Sequence, residues 1–204
     1  KRVTISKGFW MGQTEVTQEA YERVAGSNPS NIKRARLPVD NVTWEEADKY
    51  CRATGGRLPT EAEWEWSCRA GSTTHYSFGD DQMQLGNYAW YGSDAWDKNE
   101  QYACVVGQKL ANPFGLYDVH GNVWEWCSDW YDSEYYGTSA EQDPTGPSSG
   151  SSRVLRGGGG AYDPTRLRSS YRCCNTPDLR FIFIGVRVLC ELNEFPEASF
   201  AVST

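Results

Sequence analysis

The chain has 204 residues, enough for one domain, with a net charge of -7 and a pI near 4.9. That acidic balance argues against a grip on nucleic acid or anionic lipid, which needs a basic face, and no apolar run reaches the length of a bilayer-spanning helix. Aromatic residues are 14% of the chain against 39% hydrophobic in total, with nine tryptophans and twenty glycines; this excludes a coiled coil, a helical bundle and a disordered tail, and predicts a loop-rich globule cored by large rings.

In chain order, Val3–Ser6 and then Gly8–Met11 with Thr14–Val16 read as short strands. A weak helix follows Thr17 and holds Ala20, Tyr21 and Val24. Thr43 with Glu46 is a capping box that opens a helix over 44–54, stopped by Gly55-Gly56. Thr60 with Glu63 repeats the device and opens a helix running to Ala70. Residues 72–113 show no stable period and read as long ordered loops pinned by Tyr88, Trp90 and Trp96. Further strands are expected over Val123–Cys127, Arg153–Arg156 and Ile184–Leu189, with Asp132–Ser152 as a surface loop. Neither a repeat nor a linker divides 1–204, so one domain is expected. Trp10, Trp64, Trp66, Trp124 and Trp126 are expected to build the core.

Within Gly121-Asn122-Val123-Trp124-Glu125-Trp126, strand alternation places the two indoles on one face and Glu125 on the other. Two readings stand side by side. One is a core strand with a satisfied carboxylate; the other is a structural calcium held by Asp118, Gly121, Val123 and Glu125 through carboxylate and carbonyl oxygens. Only His75 and His120 are present, so a three-histidine metal site cannot be built, and His120 reads as a turn or packing residue. The Gly157–Gly160 run lacks the Lys-Ser/Thr of a phosphate loop and reads as close backbone packing.

Five elements carry a family resemblance. They are Gly8-Phe9-Trp10-Met11-Gly12 with Glu15-Val16-Thr17, then Gly56-Arg57-Leu58-Pro59-Thr60-Glu61-Ala62-Glu63-Trp64-Glu65, then Gly115-Leu116-Tyr117-Asp118 with Gly121–Trp126, then Arg156-Gly157-Gly158, and Ile184-Gly185-Val186-Arg187. Their kind and order resemble the formylglycine-generating-enzyme (sulfatase-modifying factor) family from residue 3 to about 190. The resemblance implies an α+β, C-type-lectin-like fold with few short strands and helices and long ordered loops. It also implies, for the family's enzymes, a copper-binding cysteine pair just after Arg-Gly-Gly that oxidises a cysteine of a client sulfatase. Here no cysteine lies between Cys127 and Cys173, so the thiolates that suit Cu(I) are missing from that segment and a non-enzyme with no required cofactor is expected. The alternative is a formylglycine-generating oxidase-like enzyme or its inactive relative.

Residues 156–187 interleave two sets. Arg156, Arg168, Arg172, Arg180, Ile184, Gly185 and Arg187 match the family framework. Between them fall Ala161, Tyr162, Asp163, Arg166, Leu167, Cys173, Cys174, Leu179, Phe181, Ile182 and Phe183, of no common character. Phe181-Ile182-Phe183 alone reads as a buried strand, but Ile184-Gly185 already supply one, which leaves the three for display. The interleaving resembles the variable proteins of diversity-generating retroelements, of the Treponema surface-lipoprotein type. That resemblance implies a ligand-binding face made of the second set, rewritten at adenine-rich codons over 156–187 on a rigid scaffold. It implies a cell-surface or extracellular location; the chain opens at Lys1 inside patterned sequence, so the lack of a leader there carries no information about export. An apolar face of this kind suits a protein partner, met by a monomer. The framework arginines are expected to hold the loops by charge-assisted bonds. Gly159-Gly160 stand where the family commonly has Ser-Trp, so altered packing is expected there.

The cysteines are Cys51, Cys68, Cys104, Cys127, Cys173, Cys174 and Cys190. The odd count leaves a free thiol. The resemblance implies a Cys51–Cys190 bridge and leaves Cys68 as a buried small residue whose family partner is replaced by Ser169.

Overall fold

The computed structural model describes residues 1–92, 103–160 and 162–192. Trp96 and Ala161 lie outside them. Three helices form where the caps predict: α1 (Gln18–Ala25), α2 (Trp44–Ala53) and α3 (Glu61–Arg69). Thr43 and Thr60 each close a complete capping box, and α1 stops at Gly26 in the left-handed region, φ 76°. Two one-turn helices, α4 (Leu85–Tyr88) and α5 (Tyr135–Thr138), sit inside stretches expected to be loop.

The strands are β1 (Phe9–Met11), β2 (Trp124–Trp130), β3 (Arg153–Arg156), β4 (Cys173–Asn175), β5 (Ile184–Gly185) and β6 (Leu189–Glu191). A four-stranded sheet runs β4-β3-β2-β5, and β1 pairs with β6 in a second sheet. Strand β5 lies parallel to β2, with Trp124 opposite Ile184, and Gly185 is required there because a Cβ would stand 2.4 Å from the Val39 carbonyl oxygen. The Val3–Ser6 strand reduces to one bridge, Thr4 with Gln142, and Thr14–Val16 is not a strand.

The alternation along β2 is as expected. Trp124 and Trp126 pack in one apolar cluster with Val39, Leu58, Leu155 and Ile184, while Cys127 joins Trp64 and Val154 in another. The sheet is therefore covered on both faces. Two expected core tryptophans are not in it: Trp10 is 70% exposed and Trp66 50%. Helix α3 instead buries Glu61 and Glu63, and turns Trp66 outward. Arg172 and Arg57 make that burial possible by pairing with the two carboxylates.

Candidate ligand-binding face

The segment from Arg156 to Arg187 leaves the sheet at β3 and returns to it at β5. Gly157 and Gly158 turn it in the left-handed region, and Gly158 is required because a Cβ would meet Leu167 Cγ at 2.9 Å. Asp163 caps the next turn, Pro164–Leu167, accepting from the Thr165 amide at 2.9 Å. Arginines then hold the backbone. Arg156, fully buried, donates to the carbonyls of Ser169 (2.9 Å) and Tyr171 and to Glu65. Arg172 forks onto Glu61 at 2.7 and 2.9 Å. Arg180 donates to the Asn41 carbonyl at 3.0 Å and to Glu46. Arg187 reaches Glu125 at 2.7 Å and the Gly12 and Tyr117 carbonyls at 2.9 Å each. Arg168 lies beside the Tyr76 hydroxyl, and its Nε has no protein partner.

The residues expected to be displayed separate into three groups. Asp163, Arg166 and Phe181 stand out: the first two keep 58% and 43% of their side chains exposed, and Phe181 is 43% exposed. Tyr162, Cys173, Cys174, Leu179 and Ile182 are half-buried. Tyr162 meets Trp124 edge-on at 5.4 Å and carries the Arg166 guanidinium 5.3 Å from its ring centre. Cys173 and Leu179 pack at the border of the same core cluster. Burial raises the pKa of the Cys173 thiol above its ordinary value, and Arg166 nearby opposes the shift.

Leu167 and Phe183 correct the expectation of display. Leu167 is fully buried with Tyr76 and Leu85. Phe183 is buried with Ala103 and Val123, in the left-handed region at φ 72°, its carbonyl accepting from the Trp124 amide at 2.7 Å. Phe183 also fills space beside Gly159: where a Gly159 Cβ would stand, Phe183, Trp124 and Tyr162 all lie 3.4 Å away. Cys173 and Cys174 are also not simple display positions, since they form the edge strand β4 opposite Leu155 and Val154.

The two carboxylates suggested for calcium differ in how their oxygens are used. Glu125 accepts from Trp64 Nε1 at 2.6 Å and from three directions of Arg187 at 2.7–3.0 Å, so a guanidinium already neutralises it. Among the described residues no three His, Cys, Asp or Glu side chains are placed to hold a metal. Asp118 differs: it is 1% exposed, accepts from the Gly107 amide at 2.7 Å through Oδ2, and leaves Oδ1 without a protein partner. Glu15, which the sequence reading took only as framework, is buried near it. Burial raises the pKa of both carboxyls, and Asp118 raises that of Glu15 further. The sequence signal for Glu15 is its place in the family motif Glu15-Val16-Thr17.

His120 is a packing residue, as expected. Its Nε2 accepts from the Ser77 amide at 3.0 Å, which leaves Nδ1 to donate to the Leu167 carbonyl at 2.9 Å. Burial lowers its pKa to about 4. All seven cysteines are free thiols, so the implied Cys51–Cys190 bridge is not formed. Cys190 nevertheless lies close enough to add to the burial that pushes the Cys51 thiol to about 12. Cys68 is buried, as expected.

Residues 1–192 match the profile of the sulfatase-modifying factor enzyme 1-like domain. The chain belongs to this family. It is 39% identical over 179 residues to a formylglycine-generating enzyme of Streptomyces coelicolor, covering 82% of this chain and 57% of that protein. It thus spans little more than half the length of this curated relative. Treponema denticola variable protein 1 superposes with a TM-score of 0.86 at 32% identity, covering 93% of this chain and 86% of that one. PvdO from Pseudomonas aeruginosa superposes at 0.80 with 27% identity, covering 93% and 83%. The C-type-lectin-like architecture of the formylglycine-generating type is therefore the fold of this domain.

Proposed function

We propose that this sulfatase-modifying-factor domain is a non-catalytic binding protein that presents a changeable face between Arg156 and Arg187. The observation that carries the reading is the contrast within that segment. Asp163, Arg166 and Phe181 project into solvent, while the backbone beneath them is held by arginines whose partners lie elsewhere in the fold. Such a face loses little ordering entropy on binding. Likeness to Treponema denticola variable protein 1 supports the same reading; a cell-surface location and a protein ligand, which the exposed Phe181 suits, are part of the proposal.

The relatives named formylglycine-generating enzyme favour a second reading, an oxidase. The sulfur positions speak against it. Cys173 and Cys174 are neighbours on a strand, where consecutive side chains point to opposite faces and cannot jointly grip one copper ion. Incubation with Cu(I) and a cysteine-bearing sulfatase peptide is expected to leave the peptide mass unchanged.

The direct test is a display library with mixed codons at Asp163, Arg166, Cys174, Phe181 and Ile182. Most folded members are expected to keep their melting temperature, and panning against a chosen protein is expected to return binders with new residues there. A library that folds only with the present residues would overturn the proposal. The neighbouring DNA is expected to hold a near-copy of codons 156–187 differing at adenines.

A further inference from the structure

Helix α3 turns Trp66 out of the core, and the proposed variable face makes no use of it. The indole is held at its rim by Phe9, edge-on at 5.7 Å, and by Phe114, tilted at 4.9 Å. It opens onto a cleft of about 530 Å³ whose walls include Arg2, Glu65, Arg69, Thr73 and Tyr136. This cleft shares no lining residue with 156–187.

The cleft wall is pre-set and cationic. Glu65 contributes no free charge, because one oxygen takes Arg69 Nε at 2.8 Å and the other takes the buried Arg156. Arg69 is fixed as well, its Nη1 donating to the Thr74 carbonyl at 3.1 Å, so its third nitrogen is directed by two anchors. Arg2 is exposed, and Lys1 also lines the cleft. A local surplus of positive groups on a chain of net charge -7 selects for an anion. A half-exposed indole with hydroxyls beside it selects for a flat, weakly apolar face edged by polar groups. A sugar ring bearing a carboxylate or sulfate has both properties, and the size falls in the range of small-molecule clefts.

We propose that the Trp66 cleft binds an acidic saccharide, with a sugar face stacked on the indole and its anionic group held by Arg69 and Arg2. The occupant is distinct from whatever the variable face takes, so the two sites load independently.

The test is titration of the whole chain with a hyaluronan tetrasaccharide, a digalacturonate and sialyllactose, read by tryptophan fluorescence and calorimetry, with chitotetraose as the neutral control. At least one acidic sugar is expected to saturate, about tenfold tighter than chitotetraose. Trp66→Ala and Arg2→Gln are each expected to weaken it by about tenfold or more. Arg2 is exposed and outside the core, so Arg2→Gln reports on binding even where Trp66→Ala lowers stability. Absence of saturation by all three acidic sugars, equal binding of chitotetraose, or full binding by a folded Arg2→Gln and Trp66→Ala pair would overturn the proposal. So would tighter, Trp66-dependent binding of an acidic peptide such as tetraglutamate.

Discussion

The guanidinium of Arg187 and the carboxylate of Glu125 meet at 2.7 Å with neither side chain exposed to solvent. Arg187 follows β5 and Glu125 lies in β2, so this pair ties the end of the 156–187 segment to the middle of the sheet. Removing one partner strands the other charge in the interior. Glu125→Gln and Arg187→Met are each expected to cost about 3–5 kcal/mol in urea unfolding, with the double variant losing less than the sum. Additive losses would mean that the pair is not coupled.

Leu167 and its neighbours separate scaffold from display within five residues. Leu167→Ala is expected to cost about 2–5 kcal/mol, since it empties a fully buried site, whereas Arg166→Ala should remain within about 0.5 kcal/mol of the parent and Asp163→Ala, which removes only a turn cap, should cost about 1 kcal/mol. Comparable losses at all three positions would refute the division.

Asp129 gives a pH signature. It is 1% exposed, and burial pushes its pKa to about 7, far above the unfolded value. The folded state therefore holds more protons than the unfolded state between about pH 4 and pH 7, so this group's contribution to stability falls as pH rises through that window. His120, lowered to about 4, acts in the opposite sense, losing stability as pH falls from its ordinary value. Comparing the parent with Asp129→Asn isolates the first effect: the variant is expected to be more stable by about 3 kcal/mol at pH 8 and equal near pH 4. A gap that does not change with pH would refute this.

Asp118 tests the calcium reading. Asn is well suited to its φ of 61° and carries no charge to bury, so Asp118→Asn is expected to raise the melting temperature by a few degrees, and calcium should leave the parent unchanged. A calcium-dependent rise in the parent that Asp118→Asn abolishes would instead establish a cation there.

Helices were legible because their signals are local: Thr43 with Glu46 and Thr60 with Glu63 specify their own ends. The strands flanking the variable segment were legible for a related reason, since β2 alternates and β5 holds a glycine that no other residue can replace. What failed depended on distant partners. Trp66 reads as core until Arg172 is seen burying Glu61. Phe183 reads as displayed until Ala103 and Val123 close over it. Glu125 reads equally as a satisfied core carboxylate or a cation ligand until Arg187, 62 positions later, supplies its partner.

The parallel pairing of β5 with β2 has a last consequence. Strands β3 and β5 flank the same central strand, on its two sides, so the segment between them is a loop closed at both ends by hydrogen bonds. Its two ends are fixed by separate registers, Leu155 opposite Trp126 and Ile184 opposite Trp124. Letters between them can be exchanged while both registers persist, whereas a residue inserted or deleted within either strand would force a bulge or turn an anchor to the wrong face. A process that rewrites bases without changing their number is the kind of sequence change this architecture accommodates.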